Sequence, residues 1–348
     1  MRGVCFEGIE KVAVRQLPDP ALMAATDAIV QVEMAGLCGS DLHPFFGREV
    51  GLDTGTVMGH EFVGRVVEVG SEVTRFKEGD RVYAPFTTNC GRCYYCQRGL
   101  TCRCVHGQLF GWKQGGRGLH GGQAELVLVP WADGTLKTVP QGMSGEAALL
   151  LGDNFSTGYF AAESAGVQPG GVWVVIGCGT VGLLSIVAAR MLGADTTFAL
   201  DPVSHRRDMA GQLGAIPLPA DQQGVASILA ATEGRGADGV MELVGLPDAQ
   251  RLSYEVVRPG GHIAAIGCHC TEHFAFSPVQ AYDKNLTYRT GRCPARHYMD
   301  LLTDRVVNEQ VDLNRFITHR FALADCKRAY QVFSQRQENC LKAVFELT

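Results

Sequence analysis

Long apolar runs are missing from this 348-residue sequence. Its most apolar stretches, Val172–Ile176 and Val181–Leu192, are broken by glycine or are too short to cross a bilayer. The first residues, MRGVCFEGIEKVAV, have no apolar core of the kind that a signal peptide needs. We therefore expect a cytoplasmic protein that makes no contact with a membrane.

Long runs of charge of one sign are missing as well. The chain carries 31 basic and 36 acidic residues, with a net charge of -5. This balance offers no basic groove for nucleic acid and no basic membrane patch, so a small molecule is the expected partner. The hydrophobic content of 46% and the length favour a globular protein of two domains.

The two halves of the chain show different hydrophobic patterns. Up to about residue 150, short β-type runs alternate with glycine, proline and aspartate, which predicts an antiparallel β-barrel. From about residue 170, strands such as Val172–Ile176 alternate with helices such as Val181–Leu192, which predicts a doubly wound α/β domain with a parallel sheet. We expect the segment after about residue 290 to return to the first domain.

A glycine-rich motif marks the candidate cofactor site. Gly177, Gly179 and Gly182, with Thr180 and Val181 between the last two, match G-x-G-x-x-G between a predicted strand and a predicted helix. The glycines allow a tight turn, a close approach of the backbone to a pyrophosphate, and close helix–strand packing. The helix N-terminus then offers N–H groups and partial positive charge to the phosphates.

Asp201, at the end of the next predicted strand, favours NAD over NADP. A carboxylate there accepts hydrogen bonds from the adenosine ribose and repels a 2′-phosphate. Arg206 and Arg207 follow closely and could instead accommodate that phosphate. The alternative interpretation makes both arginines solvated helix residues or an adenine-stacking surface.

Thirteen cysteines, an odd number, do not indicate a disulfide framework. Four of them lie in one short segment, at about residues 88–106, with the spacing of a closed tetrahedral zinc site: Cys90, Cys93, Cys96 and Cys104. A closed site of this kind has a structural role. Cys102 competes with Cys104 for the fourth position, and the alternative to a metal site is a set of free or disulfide-bonded cysteines.

Two further motifs, Gly36–His43 and Gly59–Val73, contain a thiol, an imidazole and carboxylates, which together suit a Zn²⁺ site. With these motifs the chain resembles the zinc-dependent medium-chain alcohol dehydrogenase family. The resemblance extends from Lys11 to about Phe345 and includes the zinc signature, the cysteine lobe and the NAD motif. It implies a GroES-like catalytic domain over 1–154, a Rossmann domain over 155–290 and a tail over 291–348 that closes on the catalytic domain.

The resemblance also implies the ligands of a catalytic zinc. Cys38 and His60 match two of the family's ligands, and Asp153 matches the third, where many relatives have cysteine and some bacterial members have aspartate. Glu61 matches a carboxylate that ligates zinc transiently during ligand exchange. In the cysteine lobe, the family's spacing selects Cys104 and makes Cys102 a spare thiol. Two zinc ions per subunit follow from this resemblance.

The remaining catalytic assignments also come from the family. Asp41 resembles the acid that orients the zinc-bound imidazole, and Ser40 and His43 match a proton relay. Zinc would act as a Lewis acid on the alcohol, the relay would remove its proton, and nicotinamide would accept the hydride to leave an aldehyde or ketone.

Several positions are assigned to cofactor and substrate. We expect Val244, Ile266, Gly267 and Cys268, at the ends of later strands, to flank the nicotinamide. Lys342 resembles a basic phosphate-binding position, with a solvated lysine as the alternative. Three aromatic residues are candidates for the alcohol pocket, with simple core packing as their alternative: Phe86, Phe110 and Trp112. Arg292 and Arg296 are candidates for contact with the cofactor or a polar substrate.

Two other functions share parts of this pattern. A polyol or amino-alcohol dehydrogenase of the sorbitol or threonine type uses the same zinc and NAD machinery. A non-catalytic zinc or redox-sensing protein of the same fold would not need the relay at Ser40 and His43. The resemblance also implies a homo-oligomer, either a tetramer or a dimer.

Overall fold

The computed structural model describes residues 1–309 and 311–347. Two compact units make up the chain, one comprising residues 1–153 with the segment that starts at 294, the other comprising 154–293. The domain boundaries expected from the sequence, after residues 154 and 290, lie close to these positions. The C-terminal segment belongs to the same unit as the N-terminal half.

Strands predominate in the first half of the chain, and longer helices alternate with strands in the second. The strands are β1 (Arg2–Gly8), β2 (Lys11–Gln16), β3 (Ala28–Leu37), β4 (Phe62–Val69), β5 (Arg81–Tyr83), β6 (Trp112–Gln114), β7 (Arg117–Leu119), β8 (Leu126–Val129), β9 (Lys137–Thr138), β10 (Val172–Ile176), β11 (Thr196–Leu200), β12 (Ile216–Leu218), β13 (Ala237–Glu242), β14 (Val257–Ala265), β15 (Thr287–Thr290), β16 (His319–Ala322) and β17 (Ala343–Glu346). The α-helices are α1 (Leu42–Phe45), α2 (Tyr94–Gln97), α3 (Ala132–Thr135), α4 (Gly145–Gly152), α5 (Asn154–Ser164), α6 (Thr180–Met191), α7 (Ser204–Gln212), α8 (Gln222–Ala231), α9 (Pro247–Val256), α10 (Pro278–Asp283), α11 (Ala295–Asn308) and α12 (Cys326–Ser334).

The first unit is built around a seven-stranded sheet in its described part. The strand order is β16-β17-β3-β4-β5-β9, and β8 also pairs with β3. Strands β3 and β4 are antiparallel, and their mostly apolar side chains form a buried cluster that includes Val30, Phe62 and Val66. Strand β17 pairs antiparallel with β3, with Ala343 opposite Leu37. This pairing brings the C-terminal segment beside the loop that begins at Cys38.

The second unit is a six-stranded parallel sheet in the order β12-β11-β10-β13-β14-β15. Strand β10 lies in the middle, and its apolar run VWVVI is buried because neighbours cover it on both sides. The order places β11 on one side of β10 and β13 on the other, as in a doubly wound fold. The predicted parallel sheet with alternating helices is therefore confirmed.

A few elements of the second unit were not expected from the sequence. Strand β12 contains Pro217, and proline is unusual inside a strand; β12 lies at the edge of the sheet, where proline is tolerated. Strand β15, at the opposite edge, has the polar sequence TYRT. Both are short, so their hydrophobic pattern is too weak to predict a strand. None of the helices in the described residues combines the length and the apolarity needed to span a membrane.

Candidate active site

Three loops of the first unit supply the predicted metal ligands. Strand β3 ends at Leu37, and the next residue, Cys38, donates its backbone N–H to Asp41 Oδ2 at 2.9 Å, which closes a tight turn. His60 and Glu61 directly precede β4, and Asp153 follows α4. The pairing of β3 with β4 brings the first two loops together, because the end of one strand lies beside the start of the other.

The side chains of these loops converge on one point. Asp153 Oδ2 lies 3.5 Å from Cys38 Sγ and 3.5 Å from His60 Nε2. Ligand atoms of these three residues and of Glu61 all lie within 4.8 Å of one another. Ligands of a tetrahedral zinc at about 2.0–2.3 Å from the ion are roughly 3.3–3.8 Å apart, so the thiol, imidazole and carboxylate have the spacing of a zinc site.

The charges of this cluster also suit a divalent cation. The ammonium of Lys342 forms a buried ion pair with Glu61 Oε2, which leaves the Cys38 thiol and the Asp153 carboxylate as the remaining acidic groups. Burial opposes ionisation of Asp153, yet its hydrogen bond to the His60 imidazole lowers its pKa to about 2. With the thiolate form of Cys38, the two negative charges equal the charge of Zn²⁺, so the metal would leave no net charge buried.

Lys342 lies in a buried ion pair and not on the solvated surface. It is only 1% exposed, so it is not a solvated lysine, and its ammonium is committed to Glu61. Burial lowers the pKa of Lys342, but the neighbouring Glu61 carboxylate raises it. The net shift of this pKa is upward, so the ammonium form is maintained. A Cβ at Gly36 would lie 2.0 Å from Glu61 Oε2, so glycine is required there for the carboxylate to occupy this position. The role of Lys342 in phosphate binding stays a prediction.

Asp41 holds the imidazole of His60 from the opposite side. Asp41 Oδ1 lies 3.2 Å from His60 Nδ1, so Nε2 faces Cys38 and Asp153. An acid that fixes the orientation of a metal-binding histidine in this way is a regular feature of zinc sites. The sequence motifs did not identify the next partner, Gln123, whose amide donates to Asp41 Oδ2 at 3.4 Å and accepts from Tyr330 at 3.0 Å. No local pattern could have indicated it, because these contacts join residues 82 and 207 positions apart.

Ser40 and His43, the predicted proton relay, lie in the same loop. The hydroxyl of Ser40 is 3.3 Å from His60 Nε2, so it is at the proposed metal position. His43 is largely buried in α1. Burial lowers its pKa, and the positive charge of Arg48 lowers it further. A neutral imidazole at pH 7 is a proton acceptor, which is the state that a relay requires.

The cysteine lobe forms a second cluster in this unit. The Sγ atoms of Cys90, Cys93, Cys96 and Cys104 lie within 4.8 Å of one another, and Cys102 is not part of the group. Backbone N–H groups, that of Cys96 foremost, lower the pKa of Cys93 to about 6. The arrangement offers four sulfur ligands and suits a closed zinc site.

The glycine-rich turn of the second unit has the shape expected of a phosphate-binding loop. A Cβ at Gly182 would lie 1.8 Å from the carbonyl oxygen of Gly177, so only glycine permits this close packing. A Cβ at Gly179 would meet only Arg206 Nη1, at 3.9 Å, so the space in front of this backbone is open. Helix α6 starts at Thr180, beside Val181, with no side-chain cap. Its first N–H groups therefore suit the pyrophosphate of a dinucleotide.

Asp201 is hydrogen-bonded to the backbone of this glycine-rich turn. Its buried carboxylate accepts from the N–H of Cys178 at 2.7 Å and from the N–H of Val203 at 2.8 Å. Each oxygen has a further lone pair, which suits a ribose hydroxyl. Arg207 donates to the carbonyl oxygen of Asp201 at 2.8 Å, whereas Arg206 lies beside the glycine-rich turn.

The strand ends that were assigned to the nicotinamide also lie in the second unit. At the end of β13, Glu242 Oε1 accepts from the N–H groups of Val244 and Gly245 at 2.8 Å each. Val244 is 36% exposed, and Ile266 is nearly buried. A Cβ at Gly267 would lie 2.3 Å from the nitrogen of Gly245, so the two turns are in close contact, and the next residue, Cys268, is exposed.

The aromatic residues assigned to the substrate pocket are placed in three different ways. Phe86 lies edge-on to the imidazole of His60, with 6.3 Å between ring centroids, so it borders the proposed metal position. Phe110 is 1% exposed and packs edge-on against Phe62 in the core. Phe110 thus has the surroundings of the core-packing alternative, because its ring is enclosed by the sheet's own side chains, and its place in the alcohol pocket stays a prediction. Trp112 is half-buried in the β6–β7 hairpin.

The two candidate arginines also differ. Arg296, at the start of α11, is buried and pairs with Asp300 at 2.6 Å. It lines a cavity with Cys90 and Cys96 of the cysteine lobe. Arg292 belongs to the second unit, in the segment after β15.

Comparison with known proteins agrees with this description. The family model for the alcohol dehydrogenase GroES-like domain matches residues 24–141, and the model for zinc-binding dehydrogenases matches residues 180–307. These matches confirm the predicted combination of a GroES-like β domain and a Rossmann domain.

Individual relatives cover most or all of the chain. Zinc-type alcohol dehydrogenase B of Aspergillus flavus is 40% identical over an alignment of 343 residues, and the match covers 96% of this chain and 79% of that protein. A medium-chain reductase/dehydrogenase of Acremonium sp is 45% identical over an alignment of 293 residues, and the match covers 81% of this chain and 98% of that protein. The solved structure of alcohol dehydrogenase TADH from Thermus sp. ATN1 has a TM-score of 0.95 and 36% identity, with 100% of both chains covered. The chain is therefore an oxidoreductase that belongs to the zinc-dependent medium-chain alcohol dehydrogenase family.

Proposed function

We propose that this protein catalyses the zinc-dependent, NAD-linked oxidation of alcohols to aldehydes or ketones, and the reverse reduction. The observation that carries the proposal is the convergence of Cys38, His60 and Asp153 with the Ser40 hydroxyl beside His60 Nε2. A structural zinc site needs no hydroxyl at the metal, whereas an alcohol-oxidising site needs a group that takes the substrate's proton.

The chain's own residues divide the work of the reaction. When bound, zinc supplies a Lewis acid for the alcohol oxygen, and the nicotinamide supplies the hydride acceptor. Cys38, His60 and Asp153 would hold the metal, while Asp41 keeps the imidazole in the orientation that this requires. The alcohol loses one hydride and one proton, and the proton leaves to solvent through a relay that includes Ser40 and His43. The lowered pKa of His43 makes its imidazole neutral at pH 7.

Glu61 has a separate task in this proposal. Burial raises the pKa of Glu61, the ion pair with Lys342 opposes that rise, and the carboxylate lies next to the metal ligands. A carboxylate within 4.8 Å of the other ligand atoms can replace a ligand for a short time during exchange of substrate and product.

The choice of NAD rests on Asp201. Its carboxylate is fixed by two backbone N–H groups at the edge of the glycine-rich turn, where the adenosine ribose of a dinucleotide lies. A 2′-phosphate would meet this negative charge at close range. Arg206 beside Gly179 acts in this proposal on the pyrophosphate rather than on a 2′-phosphate.

Substrate oxidation and metal content should be measured on the same preparation. We expect NADH formation, followed by absorbance, with primary and secondary alcohols, and a clear preference for NAD over NADP in kcat/KM. The Phe86 ring beside His60 favours apolar alcohols over polyols, so sorbitol is the informative comparison. A protein that contains both zinc ions but reduces neither NAD nor NADP with any alcohol would contradict the proposal.

A further inference from the structure

A buried carboxylate ends strand β13 of the second unit. Glu242 is fully buried, and its Oε1 accepts from the N–H groups of Val244 and Gly245 at 2.8 Å each. Its Oε2 lies 2.9 Å from Nε2 of His269, but no well-directed hydrogen bond joins a described residue to this oxygen. In the described part of the chain, no lysine or arginine forms an ion pair with Glu242. A buried negative charge without a cationic partner is costly, so its presence here requires an explanation.

The hydrogen bonds of His269 indicate that its imidazole is neutral. Gln250 Oε1 accepts from the backbone N–H of Ala275 at 3.0 Å, which fixes the orientation of the amide. The amide nitrogen of Gln250 therefore faces Nδ1 of His269 at 3.0 Å, and this ring nitrogen must accept. An imidazole that accepts at Nδ1 carries its single proton on Nε2, next to Glu242. His269 thus offers the carboxylate a dipole and no positive charge.

Glu242 is also bonded to both turns that the sequence assigns to the nicotinamide. Its backbone carbonyl oxygen accepts from the N–H groups of Ile266 and Gly267 at 2.9 and 3.0 Å. Its side chain holds the turn of Val244, and a Cβ at Gly177 would lie 2.5 Å from Val244 Cγ2, so this turn contacts the glycine-rich turn. The negative charge therefore lies at the carboxyl edge of the parallel sheet, where sheets of this type bind their ligands.

The charge of Glu242 acts beyond its own hydrogen bonds. Burial raises the pKa of Tyr288 to about 12, and the negative charge of Glu242 contributes to the rise. Tyr288 belongs to β15, which is separated from β13 by β14, so the field of the carboxylate extends across a strand. Charges in the interior are screened far less than charges at the surface.

We propose that the Glu242 carboxylate raises the affinity of the site for the oxidised dinucleotide relative to the reduced one. This inference rests on the proposed function, in which the two turns flank the nicotinamide. The ring of NAD⁺ carries a positive charge, and hydride transfer removes that charge. The buried carboxylate therefore attracts only the oxidised ring, and it acts through space because it has no accessible surface. The competing role of Glu242 is only to hold the turn of Val244 in place.

Dissociation constants of NAD⁺ and NADH, measured by calorimetric titration of the zinc-loaded protein, separate these two roles. Glu242→Gln keeps the size of the side chain and an oxygen for the two N–H groups, but it removes the charge. We expect binding of NAD⁺ to weaken at least about threefold more than binding of NADH, an effect in the range of one charge acting through the protein interior. A loosened turn would weaken both forms alike and leave the ratio of the two constants unchanged.

Three further variants separate charge from contact. Glu242→Asp keeps the charge but shortens the side chain, so it should retain the wild-type ratio even if both forms bind more weakly. Glu242→Ala loses charge and contact together and should shift the ratio as Glu242→Gln does, so it replaces the glutamine variant if that variant does not fold. Asp248→Asn removes an exposed carboxylate at the start of α9 and should retain the ratio, because water screens that charge.

The outcomes distinguish this inference from the proposed function. If the wild type binds both forms and the two uncharged variants keep its ratio, Glu242 only holds the turn, and the inference is wrong while the proposed function stands. An equal shift of the ratio in Glu242→Asp would assign the effect to the contact and overturn the inference as well. A wild type that binds neither NAD nor NADP in either form would overturn the proposed function together with this inference.

Discussion

The phenol of Tyr330 donates a hydrogen bond of 3.0 Å to Oε1 of Gln123, and both side chains are buried. The amide of Gln123 donates to Asp41, whose other carboxylate oxygen lies 3.2 Å from Nδ1 of His60. Helix α12 is thus connected through three buried side chains to the imidazole that faces Cys38 and Asp153. Each of these hydrogen-bonded side chains restricts the orientation of the following one, from Tyr330 to His60.

Removing the Tyr330 hydroxyl should therefore affect both stability and metal binding. Tyr330→Phe leaves the oxygen of Gln123 buried and unpaired, which should lower the free energy of unfolding by about 1–3 kcal/mol. It should also weaken zinc binding at the Cys38–Asp153 site by up to about tenfold, the lower end of the effect of outer-shell partners. Competition with a chelator measures the zinc affinity.

Tyr83→Phe is the matched control for this variant. Tyr83 is equally buried, and its hydroxyl lies 2.7 Å from that of Thr303 in α11, a helix that supplies none of the predicted metal ligands. It should lose stability without losing zinc affinity. Equal zinc affinities in the two variants would show that the contact with Gln123 only contributes to packing.

The two proposed zinc sites should lose their metal independently. Asp153→Ala removes a ligand from the first site and should leave one zinc per chain, bound by the four cysteines, with alcohol oxidation abolished. Cys93→Ser should instead lose the zinc of the lobe and lower the melting temperature. Metal analysis of both variants tests this, and two zinc ions retained in Asp153→Ala would exclude that carboxylate as a ligand.

The relay predicts a specific pH dependence. Burial and Arg48 lower the pKa of His43, so its imidazole is neutral and able to accept a proton at pH 7. His43→Ala should reduce kcat at pH 7 by about 100-fold, the low end for a lost acid–base group, and by less at pH 9, where hydroxide takes the proton. The exposed His273 provides the control variant His273→Ala. Parallel pH profiles for His43→Ala and wild type would contradict the relay.

Asp201 should determine the choice between the two dinucleotides. Asp201→Ala removes the carboxylate that would bind the ribose, and we expect kcat/KM with NAD to fall about 10–100-fold while the ratio of NADP to NAD activity rises. Asp195→Ala, an exposed change just before β11, should leave both values unchanged. A wild-type enzyme that prefers NADP would already contradict this assignment.

His120 should make stability depend on pH in the acid range. Its Nδ1 accepts from the backbone N–H of Val57 at 3.0 Å, so it must stay unprotonated. Burial and Lys113 lower its pKa below the ordinary 6.5, so below that pH the unfolded chain takes up the proton first. The free energy of unfolding should be unaffected above pH 6.5 and should fall as the pH drops toward the folded-state pKa.

Urea unfolding of wild type and His120→Asn at pH 7.5 and 5.5 measures this contribution. The asparagine oxygen can accept from Val57 but does not titrate, so the variant should lose less stability between the two pH values. The same loss in both proteins would assign the acid sensitivity to other groups.

The sequence determined the features that depend on neighbouring residues. Four cysteines within fifteen positions can meet only in one loop, and the structure brings Cys90, Cys93, Cys96 and Cys104 together there. The glycine-rich turn between β10 and α6 was recognisable for the same reason, since its geometry depends on the glycines themselves. The strand and helix pattern of the second unit followed from hydrophobic periodicity.

Tertiary structure decided the contacts between distant segments. Family resemblance named Cys38, His60 and Asp153, but no spacing relates positions 38 and 153, and only the fold brings them within 3.5 Å. The pairing of β17 with β3 buries Lys342 against Glu61. Phe110 and Phe86 are indistinguishable in sequence, yet one is in the core and the other faces His60. A residue's type is local information, whereas its surroundings depend on which strands and helices pack together.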